Sequence, residues 1–344
     1  MPIEPYYSEG GIVIYHGRAE DVLPGLSGVH LVAADLPYNG VIDEAWDNQW
    51  SSDAEFLAWA DNLHALLNTC TTDNATIYTF SGTRLAARME VQIEQRFNVI
   101  NSAVWDKGDG RKGAAGSGID VTALRAYWPA STERIIVAEK RLNGAFIAAD
   151  DKARADCGYW DKCQGVKVSV FGDYMRAEFQ RAGVTQKQVA ALFPSKTGGM
   201  TGCVSNWLLG LNIPTAPQYA AIRDFLGGGD YLRREYEDLR REYEDLRRPF
   251  FLTADDQWGD VWRFSIERDR FHPCQKPLPM MQQIVRVSSR HGDLVLDPTM
   301  GSGSTLRAAK DLGRRAIGID IIEANCEIAA KRLAQGVLPF GGGR

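Results

Sequence analysis

The sequence lacks long hydrophobic runs and closely paired cysteines. No stretch of about 18 consecutive apolar residues occurs, so no segment has the composition of a membrane-spanning helix. The polar, acidic first residues, MPIEPYYSEGG, have neither the basic nor the apolar region of a secretion signal. The six cysteines are scattered without a C-x-x-C pair, which favours reduced thiols in a cytoplasmic protein. A zinc site around Cys157 and Cys163 is the weaker alternative, and we expect no metal.

Positive charge is scarce in the first third of the chain. Residues 1–102 hold 4 Lys and Arg against 14 Asp and Glu. Residues 103–200 hold 15 against 11, and residues 201–344 hold 20 against 19. The formal net charge of −5 therefore conceals an uneven distribution. Because phosphates are bound by basic surfaces, we expect any phosphate-binding surface in the middle and later parts of the chain.

The rest of the composition is that of an ordinary folded protein. Hydrophobic residues make up 44% and charged residues 24%, and the length allows one enlarged domain or two domains. Strand-like segments such as VHLVAADLPY and ERIIVAEK alternate with helical patterns. One helix is predicted over residues 53–70, with Ser51, Ser52 or Asp53 as its N-cap. The alternation predicts a doubly wound α/β sheet.

The middle of the chain has a different pattern. Residues 174–226 predict several short helices, and the heptad REYEDLR then occurs twice in tandem, at residues 234–240 and 241–247. Leucine and tyrosine alternate along it by three and four residues, as on one face of a helix, and Pro249 ends the pattern. Two heptads are too few for an independent coiled coil. We therefore expect this helix to pack on the body or on a partner subunit.

Two strands end in residues that a buried strand does not need. The apolar run VHLVAA is followed by DLPY, residues 35–38. Near the C-terminus, LVLD ends in Asp297 and is followed by PTMGSGST and a helical pattern, and the next strand ends in Asp320. Glycines in such a turn let the backbone approach a ligand closely. An acid at the end of the next strand can accept hydrogen bonds from a ribose.

The glycine turn lacks the features of a phosphate-binding loop. It has Gly301 and Gly303 but not the third glycine of G-x-G-x-x-G, and no Walker lysine follows. These absences disfavour a dinucleotide or a nucleoside triphosphate. A ligand with one nucleoside and no phosphate fits better, and S-adenosylmethionine has that composition.

Three motifs resemble those of β-class DNA amino-methyltransferases. DLPY resembles the catalytic D-P-P-Y, DPTMGSGST the cofactor motif, and FHPCQKP (residues 271–277) the H-P-x-Q-K-P segment before it. Their order implies a circularly permuted, Rossmann-like α/β methyltransferase fold with a helical insertion, which resembles insertions of phage or prophage methylases. Residues 1–150 would form the catalytic half, 151–262 the helical insertion and target-recognition region, and 263–344 the SAM-binding half.

The resemblance assigns the catalytic roles to the DLPY segment. Asp35 and the carbonyl of Leu36 would accept hydrogen bonds from the exocyclic amine of a base. Pro37 would fix the turn, and Tyr38 would stack on the base once it is rotated out of the duplex. Leu36 replaces the usual proline but keeps the carbonyl, so we expect activity to survive. No covalent intermediate is needed, because positioning and fixed dipoles would supply most of the rate.

The cofactor implied by the resemblance is S-adenosylmethionine. The C-terminal glycine turn would line its methionine end, Asp320 its ribose, and Lys276 with its neighbours its carboxylate. Arg18 stands where similar sequences have an acid that contacts the adenine, so we expect this contact to be altered or lost. The predicted cofactor-binding residues are Ala19, His272, Gln275, Lys276, Asp297, Pro298, Thr299, Gly301, Ser302, Gly303 and Asp320.

Double-stranded DNA is the implied partner. Trp105 could stack on DNA, and Arg111 and Lys112 could contact its phosphates. GVTQKQVAALF followed by TGCVSNWLLG resembles a helix-turn-helix, with Ser205 and Asn206 where a recognition helix meets base edges. A homodimer and a cognate restriction endonuclease are left open, and no membrane partner is expected.

Several activities remain alternatives. Adenine N6 is the favoured target, since an aspartate at position 35 is commoner among the adenine enzymes of the family, and cytosine N4 is the alternative. Pro273-Cys274-Gln275 also spells the motif of cytosine-C5 methyltransferases, whose cysteine attacks the base, but their Glu-Asn-Val is absent. A DNA-binding regulator on a methyltransferase scaffold is the non-enzymatic alternative. Such a regulator would bind DNA and transfer nothing.

Overall fold

The chain divides into two compact units. The computed structural model describes residues 4–108, 131–140, 169–195, 199, 201–267 and 274–334. One unit comprises Met1–Cys163 and Pro249–Arg344, and the other comprises Gln164–Arg248. The second unit lies within the predicted insertion, residues 151–262.

One mixed sheet organises the first unit. In the described residues its strands are β1 (Tyr7–Glu9), β2 (Ile12–His16), β3 (Val29–Asp35), β4 (Thr71–Gly82), β5 (Phe97–Asp106), β6 (Thr132–Lys140), β7 (Val261–Arg263), β8 (Leu294–Asp297) and β9 (Arg315–Asp320). Their order is β1-β2-β9-β8-β3-β4-β6-β5-β7. The strands from β2 to β4 in this order are parallel, whereas β6 is antiparallel to both β4 and β5.

Eleven α-helices belong to the described part of the chain. They are α1 (Ala19–Val22), α2 (Asp53–Cys70), α3 (Ala86–Glu94), α4 (Val170–Ala182), α5 (Gln186–Ala190), α6 (Cys203–Leu208), α7 (Ala216–Phe225), α8 (Tyr236–Leu246), α9 (Leu278–Ser288), α10 (Ser304–Asp311) and α11 (Glu323–Ala334). None of these described helices combines the length and hydropathy needed to cross a bilayer.

Helices cover both faces of the sheet. On one face, apolar side chains of α1, α2 and α3 pack against it, with Phe56, Leu63 and Leu67 fully buried. On the other face α9, α10 and α11 supply the core, including Ile284 and Leu306. Burial on both faces explains why the central strands have nearly continuous apolar sequences.

Helix α2 begins and ends where the sequence predicts. Ser52 is its N-cap, and the Ser52 hydroxyl accepts a hydrogen bond from the Glu55 N–H at 3.2 Å. This bond satisfies a donor that the first turn would otherwise leave unpaired. The predicted helix over residues 53–70 is confirmed.

The arrangement of the parallel strands brings several of their carboxyl ends to one edge of the sheet. β3 lies between β4 and β8 and is parallel to both, although β8 comes much later in the sequence. The carboxyl ends of β3, β8 and β9 therefore point to one edge of the sheet. Open parallel sheets bind ligands in the crevice outside these ends.

The helical unit has its own apolar core. Leu239 of α8 is fully buried there, and Tyr236 and Tyr243 pack against the same core. The repeated heptad thus packs on its own unit through Tyr236 and Leu239 of the first copy and Tyr243 of the second, while Leu246 in the second copy is 45% exposed. Residues 191–202 connect α5 to α6, a longer connection than the three- or four-residue turn of a helix-turn-helix.

The two copies of the heptad provide a matched test of this packing. Leu239→Ala should lower the free energy of unfolding of the helical unit by about 2–5 kcal/mol, because it removes a buried side chain and leaves a cavity. Leu246→Ala, at the same position of the second copy, should change it by less than about 0.5 kcal/mol. Chemical denaturation followed by circular dichroism measures both. Equal effects would mean that Leu239 is not in a packed core.

Candidate active site

Three strand ends meet at one edge of the sheet. The parallel strands β3, β8 and β9 end in Asp35, Asp297 and Asp320, so these acids lie at the same edge. The hydroxyl of Thr299 donates to the backbone carbonyl of Asp35 at 2.9 Å, across a separation of 264 positions. The two distant motifs, DLPY and DPTMGSGST, therefore lie side by side.

A cleft that is partly open to solvent lies at this edge. Both motifs line it, so one cavity contains the residues predicted for catalysis and most of those predicted for cofactor binding. The predicted residues that line it are Ala19, Asp35, Leu36, Pro37, Tyr38, Gln275, Lys276, Asp297, Pro298, Thr299, Gly301, Ser302 and Asp320.

Two predicted cofactor residues are absent from this lining. Gly303 is the N-cap of α10 with a φ of 75°, and a Cβ added there would lie 2.9 Å from the Cβ of Ala329 on α11. Glycine is therefore required at this described position by the tight turn and by the close approach of α11. His272 lies outside the described residues.

The carboxylate of Asp320 is fixed in orientation at the end of β9. It accepts hydrogen bonds from the N–H groups of Gly301 and Ile322, each at 2.9 Å, and from the side-chain amide of Asn325 at 3.1 Å. Burial raises the pKa of Asp320, and these hydrogen bonds oppose the rise. An oriented carboxylate at the wall of a cleft is a suitable acceptor for hydroxyl groups.

Asp297 has an unusual protonation equilibrium. Burial raises the pKa of its carboxyl to about 7, a hydrogen bond from the Thr305 hydroxyl opposes the rise, and the nearby Asp35 adds to it. The N–H of Thr299 also donates to it, at 3.2 Å. A carboxyl with such a pKa exchanges its proton close to neutral pH.

The catalytic motif is joined to a buried network of charges. The Lys276 ammonium lies 2.5 Å from a carboxylate oxygen of Asp35 and 3.3 Å from one of Glu133. The Tyr38 hydroxyl donates to Glu133 at 2.7 Å and lies 3.3 Å from Asp35. Lys107 forms a further ion pair with the other oxygen of Glu133. Two segments distant in sequence, at Glu133 and Lys276, thus hold the side chains of Asp35 and Tyr38, and Lys107 in turn holds Glu133.

The charges in this network stabilise one another. Burial opposes a charge on Lys276, but the carboxylates of Asp35 and Glu133 outweigh it and raise the pKa of the ammonium above its ordinary value. Burial raises the pKa of Asp35, and Lys276 opposes the rise. Burial acts on Glu133 in the same direction, but Lys276 and Lys107 reverse it and lower its pKa. Lys276 is therefore a fixed cation that favours the ionised form of Asp35.

Glu133 is a functional candidate that the sequence reasoning missed. It lies near the start of β6, and only 6% of its surface is exposed. The sequence feature that could have revealed it is an acid followed by the apolar residues of a buried strand, since such an acid needs a partner.

Two residues have contacts different from those predicted. Trp105, a candidate to stack on DNA, is only 3% exposed and donates its indole N–H to the carbonyl of Phe264 at 2.8 Å. The prediction that it stacks on DNA is wrong, because the ring has no exposed face. Lys276 was expected to bind a cofactor carboxylate. Its ammonium contacts Asp35, Glu133 and Tyr38, and because Lys276 also lines the cleft its contact with a cofactor stays a prediction.

The other residues predicted to contact DNA do not line the cleft, as far as the structure describes them. Ser205 and Asn206 lie on α6 in the helical unit, where both are half-buried. Arg111 and Lys112 lie outside the described residues. These residues keep the status of predictions.

The segment around Arg18 borders the cleft beside Asp320. The Arg18 side chain is 57% exposed and lies 3.7 Å from Glu20, which also lines the cleft. Glu20 accepts a hydrogen bond from the indole N–H of Trp59 at 2.5 Å. Arg18, in place of the acid of similar sequences, therefore puts a positive charge at this end of the cleft, and Glu20 balances that charge.

Cys274 lines the same cleft but is poorly suited to nucleophilic attack. Burial raises the pKa of its thiol to about 11, and the charge of Asp35 contributes to the rise. Because the thiolate is the nucleophile, such a thiol is almost entirely in its unreactive form at neutral pH.

Comparison with known proteins identifies the family. A family model for N6/N4 DNA methylases matches residues 29–331, which is most of the chain. The chain belongs to this DNA methylase family. The match contains the DLPY and DPTMGSGST motifs and the strands that carry them.

Individual relatives are more distant. The Type II methyltransferase M2.DpnII of Streptococcus pneumoniae is 44% identical over 87 residues, which cover 24% of this chain and about a third (32%) of that relative. The solved PvuII DNA methyltransferase, described as cytosine-N4-specific, covers 97% of this chain and 90% of its own, with a TM-score of 0.55 and 11% identity. The M1.HpyAVI–SAM complex covers 93% and 98%, with a TM-score of 0.48 and 17% identity.

The predicted fold class is confirmed. The mixed sheet with helices on both faces is an α/β fold, and the likeness to the PvuII enzyme shows that DNA methyltransferases share it. The circular permutation stays a prediction.

The role assigned to Lys276 predicts a shift in pH dependence. Lys276→Met removes the cation that lowers the pKa of Asp35, so this pKa should rise further. Methyl transfer should then be lost, on acidification, at a higher pH than in the unchanged protein. A pH–rate profile of single-turnover transfer to DNA measures this limb.

Lys331→Met provides the control, since Lys331 forms an exposed ion pair with Glu327 on α11. Its profile should match that of the unchanged protein. An acid limb that stays in place in Lys276→Met would show that Lys276 does not set the ionisation of Asp35.

Proposed function

We propose that the protein transfers a methyl group from S-adenosylmethionine to the exocyclic N6 of adenine in double-stranded DNA, at a specific sequence. The observation that carries the proposal is the shared cleft. Asp35 and Tyr38 line it together with the glycine turn and Asp320, so a cofactor and an acceptor base could meet there.

The residues of the cleft fit the proposed cofactor. The acids Asp35, Asp297 and Asp320 at one edge of the sheet would repel a phosphate, but they suit a cationic sulfonium and a ribose. Asp320 would accept hydrogen bonds from the ribose hydroxyls, with Gly301 placed against it at 2.9 Å. S-adenosylmethionine supplies an electrophilic methyl group and needs no metal to do so.

The network around Asp35 supports the proposed chemistry. In the proposed complex the carboxylate of Asp35 and the carbonyl of Leu36 accept hydrogen bonds from the exocyclic amine. These acceptors stabilise the positive charge that develops on the nitrogen as its lone pair attacks the methyl carbon. The carbon–sulfur bond breaks as the carbon–nitrogen bond forms, S-adenosylhomocysteine leaves as a neutral thioether, and the methylated nitrogen then releases one proton to solvent. Lys276 favours the ionised form of Asp35, because it lies only 2.5 Å from it in a buried site.

Tyr38 is suited to hold the base in place. Its hydroxyl is fixed by Glu133, and the edge of its ring lies close to Gly82, where an added Cβ would approach the ring to 3.3 Å. The ring is therefore held between two anchors and still lines the cleft. A flipped base could stack on a ring held in this way at little entropic cost.

The choice of adenine is the finer part of the proposal. It rests on the aspartate at position 35, which resembles the adenine enzymes of the family more than the cytosine enzymes. Cytosine N4 is the alternative, because its amine could use the same two acceptors. The helical unit remains our proposed target-recognition region.

The first test identifies the product and the role of Asp35. The protein is incubated with S-adenosyl-[methyl-³H]methionine and unmethylated bacterial DNA. The DNA is then digested to nucleosides, which are separated by chromatography and identified by mass spectrometry. We expect N6-methyladenine from the unchanged protein. Asp35→Ala should lower the transfer rate by at least about 100-fold, because an acceptor aimed at developing charge is lost.

The controls separate the alternatives. S-adenosylhomocysteine should bind to Asp35→Ala about as tightly as to the unchanged protein, as calorimetry can measure. If the product is N4-methylcytosine, the target base is cytosine and the proposed choice of adenine is wrong. DNA binding without any transfer would support the regulator and refute the proposed enzyme.

Cys274 gives a separate test of the reaction class. Cys274→Ala should transfer methyl groups at close to the unchanged rate, because the proposed attack comes from the base nitrogen and not from a thiolate. DNA containing 5-fluorocytosine should form no covalent adduct with the protein. Loss of transfer in this variant, together with an adduct in the unchanged protein, would establish cytosine-C5 chemistry instead.

A further inference from the structure

Asp47 accepts hydrogen bonds from five consecutive backbone N–H groups. One carboxylate oxygen accepts from Tyr38 at 2.6 Å and from Asn39 at 3.0 Å. The other oxygen accepts from Val41 at 2.7 Å and from Ile42 at 3.0 Å. The N–H of the intervening Gly40 donates to the backbone carbonyl of Asp47 at 2.8 Å. One residue thus satisfies every backbone donor of residues 38–42.

This arrangement holds a backbone that would not adopt its shape unaided. Asn39 has a φ of 58° and Gly40 a φ of 83°, both in the left-handed region. Asparagine tolerates this region better than most residues, and glycine adopts it freely. Asp47 is only 1% exposed, so the five N–H groups have a buried acceptor at the centre of the loop. We call residues 38–47 the amide-clamped loop.

A second set of contacts supports the same loop from outside. The side-chain amide of Asn39 donates to Asp53 at 3.0 Å, and Arg84 donates to the Asn39 carbonyl at 2.8 Å. Arg84 also pairs with Asp53 at 2.6 Å. These contacts leave the Asn39 end of the loop fixed on both sides.

The amide-clamped loop forms one wall of the cleft. Val41, Ile42, Trp46 and Asp47 line the cavity together with Tyr38, with which the loop begins. Val41 is 59% exposed, so an apolar surface lies open beside the tyrosine ring. A base has apolar faces and a polar edge. This wall therefore suits the faces, while Asp35 suits the edge.

We propose that Asp47 is a positioning residue that preorganises this wall for the acceptor base. The inference rests on the proposed methyl transfer, because the wall lies beside the Tyr38 ring on which the base would stack. Asp47 acts through the loop, since its carboxylate is occupied by the four backbone N–H groups. Without Asp47 the backbone N–H groups of residues 38–42 would have to donate to water. The backbone of Tyr38, from which the ring extends, would then no longer be held in place.

Asp47→Asn is the sharpest variant. Asparagine keeps the volume but replaces one acceptor oxygen by an NH₂ group, which would face two backbone N–H donors. The single-turnover rate of methyl transfer to DNA should fall by about 100-fold, because displacements of about 1 Å at a reacting group cost that much. The dissociation constant of S-adenosylhomocysteine should be unchanged, since the cofactor residues at Asp297–Asp320 do not depend on the loop.

Hydrogen–deuterium exchange of the amides of residues 38–42 gives a readout that needs no activity. These amides should be protected in the unchanged protein, even though residues 38–42 lie outside helices and strands, and should exchange much faster in Asp47→Asn. Asp47→Ala should expose all of them.

Asp256→Asn is the matched control. Asp256 is likewise a buried carboxylate that holds a loop, accepting from the Thr253 N–H at 2.5 Å and pairing with Arg286. It does not line the cleft, as far as the described residues extend. Asp256→Asn should lower the melting temperature without changing the transfer rate or the exchange of residues 38–42.

The outcomes separate the two proposals. If the unchanged protein transfers no methyl group but the loop amides lose protection in Asp47→Asn, the clamp stands as structure and the proposed function fails. If the unchanged protein is active and Asp47→Asn transfers at the same rate, the positioning role is overturned. Equal losses of rate in Asp47→Asn and Asp256→Asn would reduce the role of Asp47 to general stability and would also overturn it.

Discussion

A buried ammonium between two carboxylates is the interaction on which the site depends. Lys276 is 6% exposed and contacts Asp35 and Glu133, which come from the end of β3 and the start of β6. Removing these charges from water costs several kcal/mol for each ion, and only their mutual attraction and hydrogen bonds offset that cost. Any change that removes one partner leaves the others buried without compensation. The charged network therefore holds the side chains of Asp35 and Tyr38 in place.

The parallel part of the sheet determines which residues share this environment. β8 and β9 come near the end of the sequence but lie beside β3, so their carboxyl ends are neighbours of the DLPY motif. Acids at three adjacent strand ends create a negative edge, and helix packing needs Gly303 to bring α10 and α11 close behind it. Fold and charge thus favour the same class of ligand, a nucleoside without phosphate.

Sequence patterns predicted what depends on neighbours in the chain. The cap of α2 at Ser52, the strand before DLPY and the glycine turn follow from local rules, and the fold class follows from their alternation. Glu133 and Asp47 were missed because what singles them out is their contact with Tyr38. Glu133 lies 95 positions from Tyr38 in the sequence and Asp47 lies 9 positions from it. Trp105 was misassigned for a related reason. Its indole N–H donates to Phe264, 159 positions away, and the sequence around Trp105 does not reveal so distant a contact.

The tandem heptad in α8 has a consequence for how this helix can change in length. Seven residues are close to two helical turns, or about 10.5 Å, so adding or deleting one copy returns the apolar face to nearly the same direction. The first copy supplies the buried Leu239, and the second ends in the exposed Leu246. Slippage during replication of such a repeat would therefore lengthen or shorten the helix in steps of seven residues that keep the direction of its apolar face.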